Sequence, residues 1–287
     1  MTAIDAPLPA RSRSRAWAKL RRNPAALVGA VIVAVFVVLA LAAPIRPIAS
    51  PTATDWGAIR QPPSATHWLG TDEIGRDIFA RMIWGARASL MAGVVSVAIA
   101  VAIGVPLGLV AGYFGGWTDS VIARCTDALL AMPFLILAIA LAAFLGPSLT
   151  NAMIAIGLSA VPIFIRLTRG QVLSVRTEEY VEGARAIGLG HLAIMGAYIL
   201  PNVIPPILVQ ATLTVATAII AEASLSFLGL GQQPPAPSWG SMLNTAKNFM
   251  SQAPWMAVWP GVAIFLVVMG FNLMGDGLRD ALDPREH

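Results

Sequence analysis

Glu182-Gly183-Ala184-Arg185-Ala186-Ile187-Gly188, followed after nine further residues by Tyr198-Ile199-Leu200-Pro201, interrupts a chain that is otherwise almost continuously apolar. Together with Arg166, Arg169, Arg176, Glu178 and Glu179 it makes a charged stretch that cannot lie in hydrocarbon, where one charge near the centre of a span costs roughly 2.5 to 3.5 kcal/mol. The stretch must therefore sit in water between two membrane-crossing segments, where another protein can grip it.

Composition fixes the broad class around that stretch. With 57% hydrophobic and 12% charged residues and a mean hydropathy of +0.73, the chain has too little polar surface for a soluble globule, and its apolar runs reach bilayer-crossing length. The predicted fold class is all-α, a polytopic membrane protein. An isoelectric point near 9.8 would suit nucleic acid, but Arg11, Arg13, Arg15, Lys19, Arg21 and Arg22 are packed just before the first apolar run, the pattern that holds a terminus on the inner side of a membrane. No nucleic-acid partner is read from the charge. The single cysteine, Cys125, excludes an intramolecular disulfide, a Cys-rich zinc site and a thiolate-held cluster within this chain. A basic region, an apolar run and Ala40-Leu41-Ala42 before Pro44 resemble a cleavable signal, yet the run from Ala25 to Ala43 exceeds the ~7 to 15 residues of a signal core. It is read as an uncleaved first span.

Six transmembrane helices are predicted, at 24–43, 88–112, 121–145, 149–168, 202–228 and 256–276. Pro44 ends the first, Gly112 with Gly115-Gly116 ends the second, Gly146-Pro147 separates the third from the fourth, and Pro201 opens the fifth. An even number returns the chain to its starting side. The organisation is then a cytoplasmic tail at 1–23, with a short surface helix at Arg13–Arg22, the first span, an extracytoplasmic loop at 44–87, a core at 88–278 interrupted by a cytoplasmic loop at 169–200, and a cytoplasmic tail at 279–287. Arg46, Arg60, Arg76, Arg81 and Arg87 in the outer loop are diluted by Asp55, Asp72, Glu73 and Asp77, so orientation rests on the N-terminal cluster and on the uncharged link at 146–150.

Two helical faces and one acid draw attention. Ala88, Ala92, Ser96, Ala100, Gly104, Gly108 and Gly112 recur every four residues, a row that permits close helix contact, with Pro106 as a kink. Gln210, Thr214, Thr217, Ala221 and Ser224 put a weakly polar stripe on the fifth span, which either wets a translocation path or makes interhelical hydrogen bonds. Glu222 is an acid near the outer end of that span, either functional, partly solvated or held by structural hydrogen bonds.

The polar stretch has its own local logic. Thr177 can cap a helix whose first turn holds Glu178 and Glu179, Tyr180, Val181, Ala184 and Ile187 make its apolar face, and Gly188 supplies a left-handed stop. A second helix from Gly190 to Leu200 completes a knuckle whose small and apolar face can enter a partner's groove.

Glu182-Gly183-Ala184, Gly188, Tyr198 and Leu200-Pro201 resemble the Glu-Ala-Ala loop of permease subunits of bacterial ATP-binding-cassette (ABC) importers. Leu69-Gly70-Thr71-Asp72-Glu73-Ile74-Gly75-Arg76-Asp77, Gly112-Tyr113-Phe114-Gly115-Gly116, Glu222 to Gly231 and Gly275 to Pro284 extend the likeness over nearly the whole chain to the C-type permease of dipeptide, oligopeptide and nickel importers. Gly183 stands where the family has alanine, and Tyr198 where peptide-importer permeases often have histidine. The resemblance implies a type I importer permease fold in the bacterial inner membrane, a homologous second permease, two cytoplasmic ATPases and an extracytoplasmic substrate-binding protein. ATPase coupling would fall on Tyr180, Glu182, Gly183, Ala184, Ile187, Gly188, Leu200 and Pro201, and the path on Gln210, Thr214, Thr217 and Glu222. ATP and Mg would belong to partner subunits, since this chain has no phosphate loop of the Gly-x-x-x-x-Gly-Lys-Ser/Thr type. Cofactor, metal and catalytic residues are expected to be none: Asp72, Glu73 and Asp77 are interleaved with Arg76 and Arg81, which oppose a divalent cation, and His67, His191 and His287 are scattered. The turn at 69–77 reads instead as a salt-bridged docking surface. A self-contained secondary carrier using Glu222 is the competing reading, and an intramembrane enzyme lacks any catalytic pair.

Overall fold

The computed structural model describes residues 19, 21, 23–44 and 50–282. The surface helix expected at 13–22, all of the N-terminal basic cluster but Lys19 and Arg21, Arg46 and the tail beyond Leu282 lie outside the described residues. Among the described residues nine helices carry the fold: α1 Pro24–Ala42, α2 Ile78–Phe114, α3 Gly116–Leu130, α4 Phe134–Leu145, α5 Leu149–Val175, α6 Glu179–Ala186, α7 His191–Phe227, α8 Trp239–Ala246 and α9 Trp255–Leu282. Asp77 caps α2 by accepting from Ala80 N, Ser148 caps α5 through Asn151 N, and Ser238 forms a reciprocal capping box with Ser241 on α8.

Helices α1, α2, α5, α7 and α9 are each long and apolar enough to cross a membrane, whereas the span expected at 121–145 is broken into α3 and α4, which meet at 90°. Pro133 is the cause: it has no N–H to donate to the helix, and its ring drives the preceding residue out of the helical region. The broken pair nonetheless makes one crossing. Helices α2 and α5 run parallel, since Ser96 Oγ donates to Met153 O at 2.9 Å near one end and Arg176 Nη1 donates to Gly112 O at 2.9 Å at the other. Two parallel neighbours require the chain to return between them. Residues of α3 are fastened beside the far end of α5, while Asn151 Nδ2 donates to Leu145 O and Gly146 O at 2.8 and 3.0 Å, joining the end of α4 to the start of α5.

The small-residue row on α2 is the seam of this pair. A methyl added at Gly104, Gly108 or Gly112 would come within 2.7 Å of Phe164, Ile165 or Val172 respectively, so only glycine lets the backbones approach this closely. Pro106 lies within α2, which stays helical from Ile78 to Phe114. Helix α1 packs antiparallel on α9, with Gly29 against Gly270 and Leu273, and Gly277 against Ala26; Val28, Val31, Val35, Val38 and Leu41 face outward. Asn23 Nδ2 reaches Asp280 Oδ2 at 3.4 Å. Helix α9 starts beside the 50–77 segment, where Trp255 Nε1 donates to Thr71 O at 3.2 Å, so its end and the start of α1 lie at the same end of the bundle as residues 176–190, here called the knuckle end. Residues 50–77 and 228–254 form the opposite, cap end.

Helix α7 begins at His191 and does not restart at Pro201. The backbone passes through a wider π-helical turn at Ile194–Ile199, with Leu200 N bonded to Met195 O, and Asn202 Nδ2 donates to Tyr198 O at 2.6 Å. A wide turn of this kind accommodates the missing N–H of Pro201 without ending the helix.

Candidate functional site

At the knuckle end, α6 stops as its sequence requires. Gly188 has φ +79°, Leu189 N donates to Ala184 O and Gly188 N to Arg185 O, which is a complete Schellman closure. The start differs from expectation. Helix α6 begins after Glu178 with no side-chain cap, because Thr177 Oγ1 turns back to Ser174 O at 2.9 Å. Glu179 and Glu182 in the first turn and Arg185 in the last still suit the helix dipole.

The apolar face of α6 is divided between two tasks. Val181 and Ala184 are 0% and 3% exposed, packed in the hydrophobic core beside Ile194 and Ile199 of α7. Tyr180, Ile187 and Leu192 are 44%, 75% and 82% exposed, and Glu182, Gly183 and Gly188 are exposed with them. Ala184 therefore anchors the knuckle while its neighbours are presented. Leu200 is half-buried and Pro201 exposed on α7, one helical segment away from that surface. The sequence places Leu192 on the second knuckle helix but gives no sign that its side chain faces outward, which the packing of Ile194 and Ile199 against α6 decides.

The knuckle sits on a braced base. Arg169 Nε and Nη2 grip both carboxylate oxygens of Asp119, the second at 2.7 Å, and Arg166 Nη2 donates to Asp127 at 2.7 Å. Both pairs join α3 to α5, and the two-point arginine grip adds direction to charge. Arg176 closes the end of α2, and Tyr113 on the last turn of α2 reaches both arms of the knuckle: its hydroxyl lies 2.9 Å from His191 Nδ1, and Arg185 stands 5.3 Å over its ring.

On α7 the polar stripe is largely bonded to its own helix. Gln210 Nε2 donates to Thr214 Oγ1 at 3.2 Å, Thr214 Oγ1 to Gln210 O at 2.7 Å, Thr217 Oγ1 to Thr214 O at 2.9 Å and Ser224 Oγ to Ile220 O at 2.9 Å. Thr217 is exposed, Gln210 half-buried, and Thr214 and Ala221 buried. Glu222 is 0% exposed and central to a closed network. Ser89 Oγ of α2 donates to Oε2 at 3.0 Å and Ser226 Oγ to Oε1 at 2.7 Å. Each serine in turn accepts: Ser89 from Trp239 N, Ser226 from Gln232 N and from Ser238 Oγ. Glu222 thus ties α2, α7, the following loop and α8 together.

At the cap end the charges of 69–77 face inward, not outward. Asp72 accepts from Arg76 Nε at 2.6 Å and from the backbone N of Ile74 and Arg76, with Arg81 Nε 3.3 Å away. Asp72, Arg76 and Arg81 are all buried, beside a cleft lined by Met242, Thr245 and Met256. Burial, followed by the charge of Asp72, pushes the Glu73 carboxyl above its ordinary value despite its contact with Arg76. The large apolar side chains that the cap presents outward include Trp56 and Trp68.

Residues 104–287 match the family model described as binding-protein-dependent transport system inner membrane component, and residues 13–63 match the N-terminal TM domain of oligopeptide transport permease C. The chain is 50% identical over 270 residues to the dipeptide transport system permease protein DppC of Alkalihalophilus pseudofirmus, covering 94% of this chain and 89% of that protein. It is 47% identical over 270 residues to the glutathione transport system permease protein GsiD of Escherichia coli, with the same coverage, and 44% identical over 266 residues to the probable D,D-dipeptide transport system permease protein DdpC of Escherichia coli, covering 93% and 89%. In fold it is similar to a chain of the MetNI methionine ABC transporter in inward-facing conformation, with TM-score 0.58, 21% identity and coverage of 71% of this chain and 97% of that one.

Proposed function

Since the chain belongs to the family of binding-protein-dependent transport system inner membrane components, and is a permease subunit of an ABC importer, we propose that it forms half of a membrane path for di- or oligopeptides and that its knuckle is driven by cytoplasmic ATPases. A homologous second permease supplies the other half, and two ATPases, carrying the ATP and Mg, sit beneath the pair. The relatives named for dipeptide, glutathione and D,D-dipeptide transport favour a short peptide over nickel or another small solute.

The knuckle end faces the cytoplasm in this reading, together with both termini. The arginine cluster before α1 supports that orientation, and it turns the cap toward an extracytoplasmic binding protein. The observation that carries the proposal is the presentation of Tyr180, Ile187 and Leu192 on an otherwise charged, water-facing loop whose backbone is fixed by the Gly188 closure. A loop so fixed transmits force. It is continuous with α5 on one side and α7 on the other, so displacement tilts both, and the glycine seam holds α2 against α5. Alternating tilt exposes a path between the two permeases first to one side and then to the other.

The test is co-purification from membranes in which this chain is expressed with its co-encoded permease and ATPases. Ile187→Asp and Leu192→Asp each put a charge into the buried centre of the proposed contact, and each is expected to cost roughly 2 kcal/mol or more, at least a tenfold loss of bound ATPase. Insertion should be unchanged, since neither side chain is buried in the chain itself. ATPase retained at full yield by the double variant defeats the proposal.

A further inference from the structure

One side chain links the two arms of the knuckle to the helix that does not lead into it. Tyr113 ends α2 and is 6% exposed. Its hydroxyl is 2.9 Å from His191 Nδ1, in the first turn of α7; its ring lies 5.3 Å below the Arg185 guanidinium, in the last turn of α6. Phe114 completes the cluster, edge-on to Tyr113 at 5.1 Å and 5.7 Å from the His191 ring. Behind it the backbone is secured, because Arg176 Nη1 donates to Gly112 O at 2.9 Å and approaches Tyr113 O at 3.5 Å. A cation over an aromatic face and a partly buried hydroxyl bond are each directional, so the ring cannot slide against either arm without losing one of them.

We propose that Tyr113 is a positioning residue that fastens the knuckle to α2, so that a push on the knuckle moves α2 directly and together with α7. The idea rests on the coupling role proposed above and adds the route. Covalent continuity already passes motion from the knuckle to α5 and α7. It gives α2 nothing directly, because α2 meets the knuckle only in space, through residues far apart in the chain. With Tyr113 in place the ends of α2, α5, α6 and α7 form one block, and the α2–α5 seam is driven from both of its helices.

The experiment uses the complex of this chain with its co-expressed permease and ATPases in nanodiscs, in a Cys125→Ser background. Spin labels are placed pairwise at exposed sites: Val94 on α2 or Ile220 on α7, each against Val262 on α9. Pulsed electron resonance is recorded without nucleotide and with ATP plus vanadate. For Tyr113→Leu, ATPase yield and the nucleotide-shifted population of the Ile220 pair are expected to hold, while that of the Val94 pair falls roughly threefold or more, within the range by which single positions alter coupling. Tyr113→Phe keeps the ring beneath Arg185 and should recover most of the Val94 shift, and a general packing defect would lower the Ile220 shift as well. If Tyr113→Leu does not fold, the pair Arg185→Met and His191→Phe removes both contacts with Tyr113 intact and must give the same result. An undiminished Val94 shift in either overturns the inference. Absence of a nucleotide shift, or of bound ATPase, in the unsubstituted complex overturns the coupling role instead.

Discussion

Removing the carboxylate of Glu222 should be among the most damaging single changes in the cap half of the molecule. In Glu222→Ala the Ser89 and Ser226 hydroxyls, 3.0 and 2.7 Å from the carboxylate oxygens, lose their acceptor at a fully buried position. Each orphaned buried donor costs about 1 to 3 kcal/mol, and truncation also leaves a cavity that the packed surroundings only partly refill. The sum is about 3 to 6 kcal/mol. Glu222→Gln keeps the volume and one acceptor oxygen, so a single hydroxyl must turn away from the amide, at a cost of about 1 to 2 kcal/mol. With ~2 to 4 °C of melting temperature per kcal/mol for a chain of this order, Glu222→Ala should melt about 6 to 24 °C below the unsubstituted chain and Glu222→Gln about 2 to 8 °C below it. Thermal unfolding of the full chain in detergent, followed by tryptophan fluorescence, reads this out, because Trp239 N is bonded to Ser89 in the same network. Should both variants melt within about 2 °C of the unsubstituted chain, the network does not hold α8 against α2 and α7 and the reasoning fails.

Two further outcomes follow from the cap and the seam. Because burial raises the Glu73 carboxyl above its ordinary 4.5, the folded chain holds that proton more tightly than the unfolded one; the contribution is complete below the ordinary value and is lost as pH rises through the raised one. Relative to Glu73→Gln, the unsubstituted chain should therefore lose melting temperature as pH climbs from 4.5 toward neutrality, and the opposite slope would refute the assignment. At the seam, Gly112→Val meets Val172 Cβ at 2.7 Å and should cost about 1 to 3 kcal/mol by overpacking, lowering the monodisperse yield on size exclusion. Gly170→Val, whose first added carbon meets nothing within 4 Å, should leave the yield near normal, and equal losses at both sites would remove the argument from close approach.

Much of this architecture was legible in the chain because hydrocarbon leaves so few choices. The apolar runs had to be helices, the charged stretch had to leave the bilayer, and the residue stopping α6 had to tolerate positive φ, as Gly188 does. Local rules reached less far where tertiary packing competed for the same groups. Thr177 was free to cap α6 but bonds Ser174 O instead. The Val181–Ala184 face, read as available to a partner, is taken up by α7, whose start had been assigned to a separate short helix. The bend in the third crossing hangs on Pro133, inside an apolar run that hydropathy alone reads as unbroken. Tyr113 and Glu222 escaped a defined role because their partners lie far away in sequence, Tyr113 to His191 by 78 residues and Glu222 to Ser89 by 133. Spacing along a chain carries no trace of such meetings.

The divided third crossing also bears on how the polypeptide enters the bilayer. Helix α4 has 12 residues, a rise of about 18 Å, well short of the ~30 Å hydrocarbon slab, and α3 carries Asp119, Arg124 and Asp127. Neither half is a good guest for lipid by itself. Neutralising partners for two of those charges, Arg166 and Arg169, are synthesised later, near the far end of α5. The third crossing should accordingly depend on the fourth emerging beside it, so that this half is expected to insert as helical hairpins and not span by span.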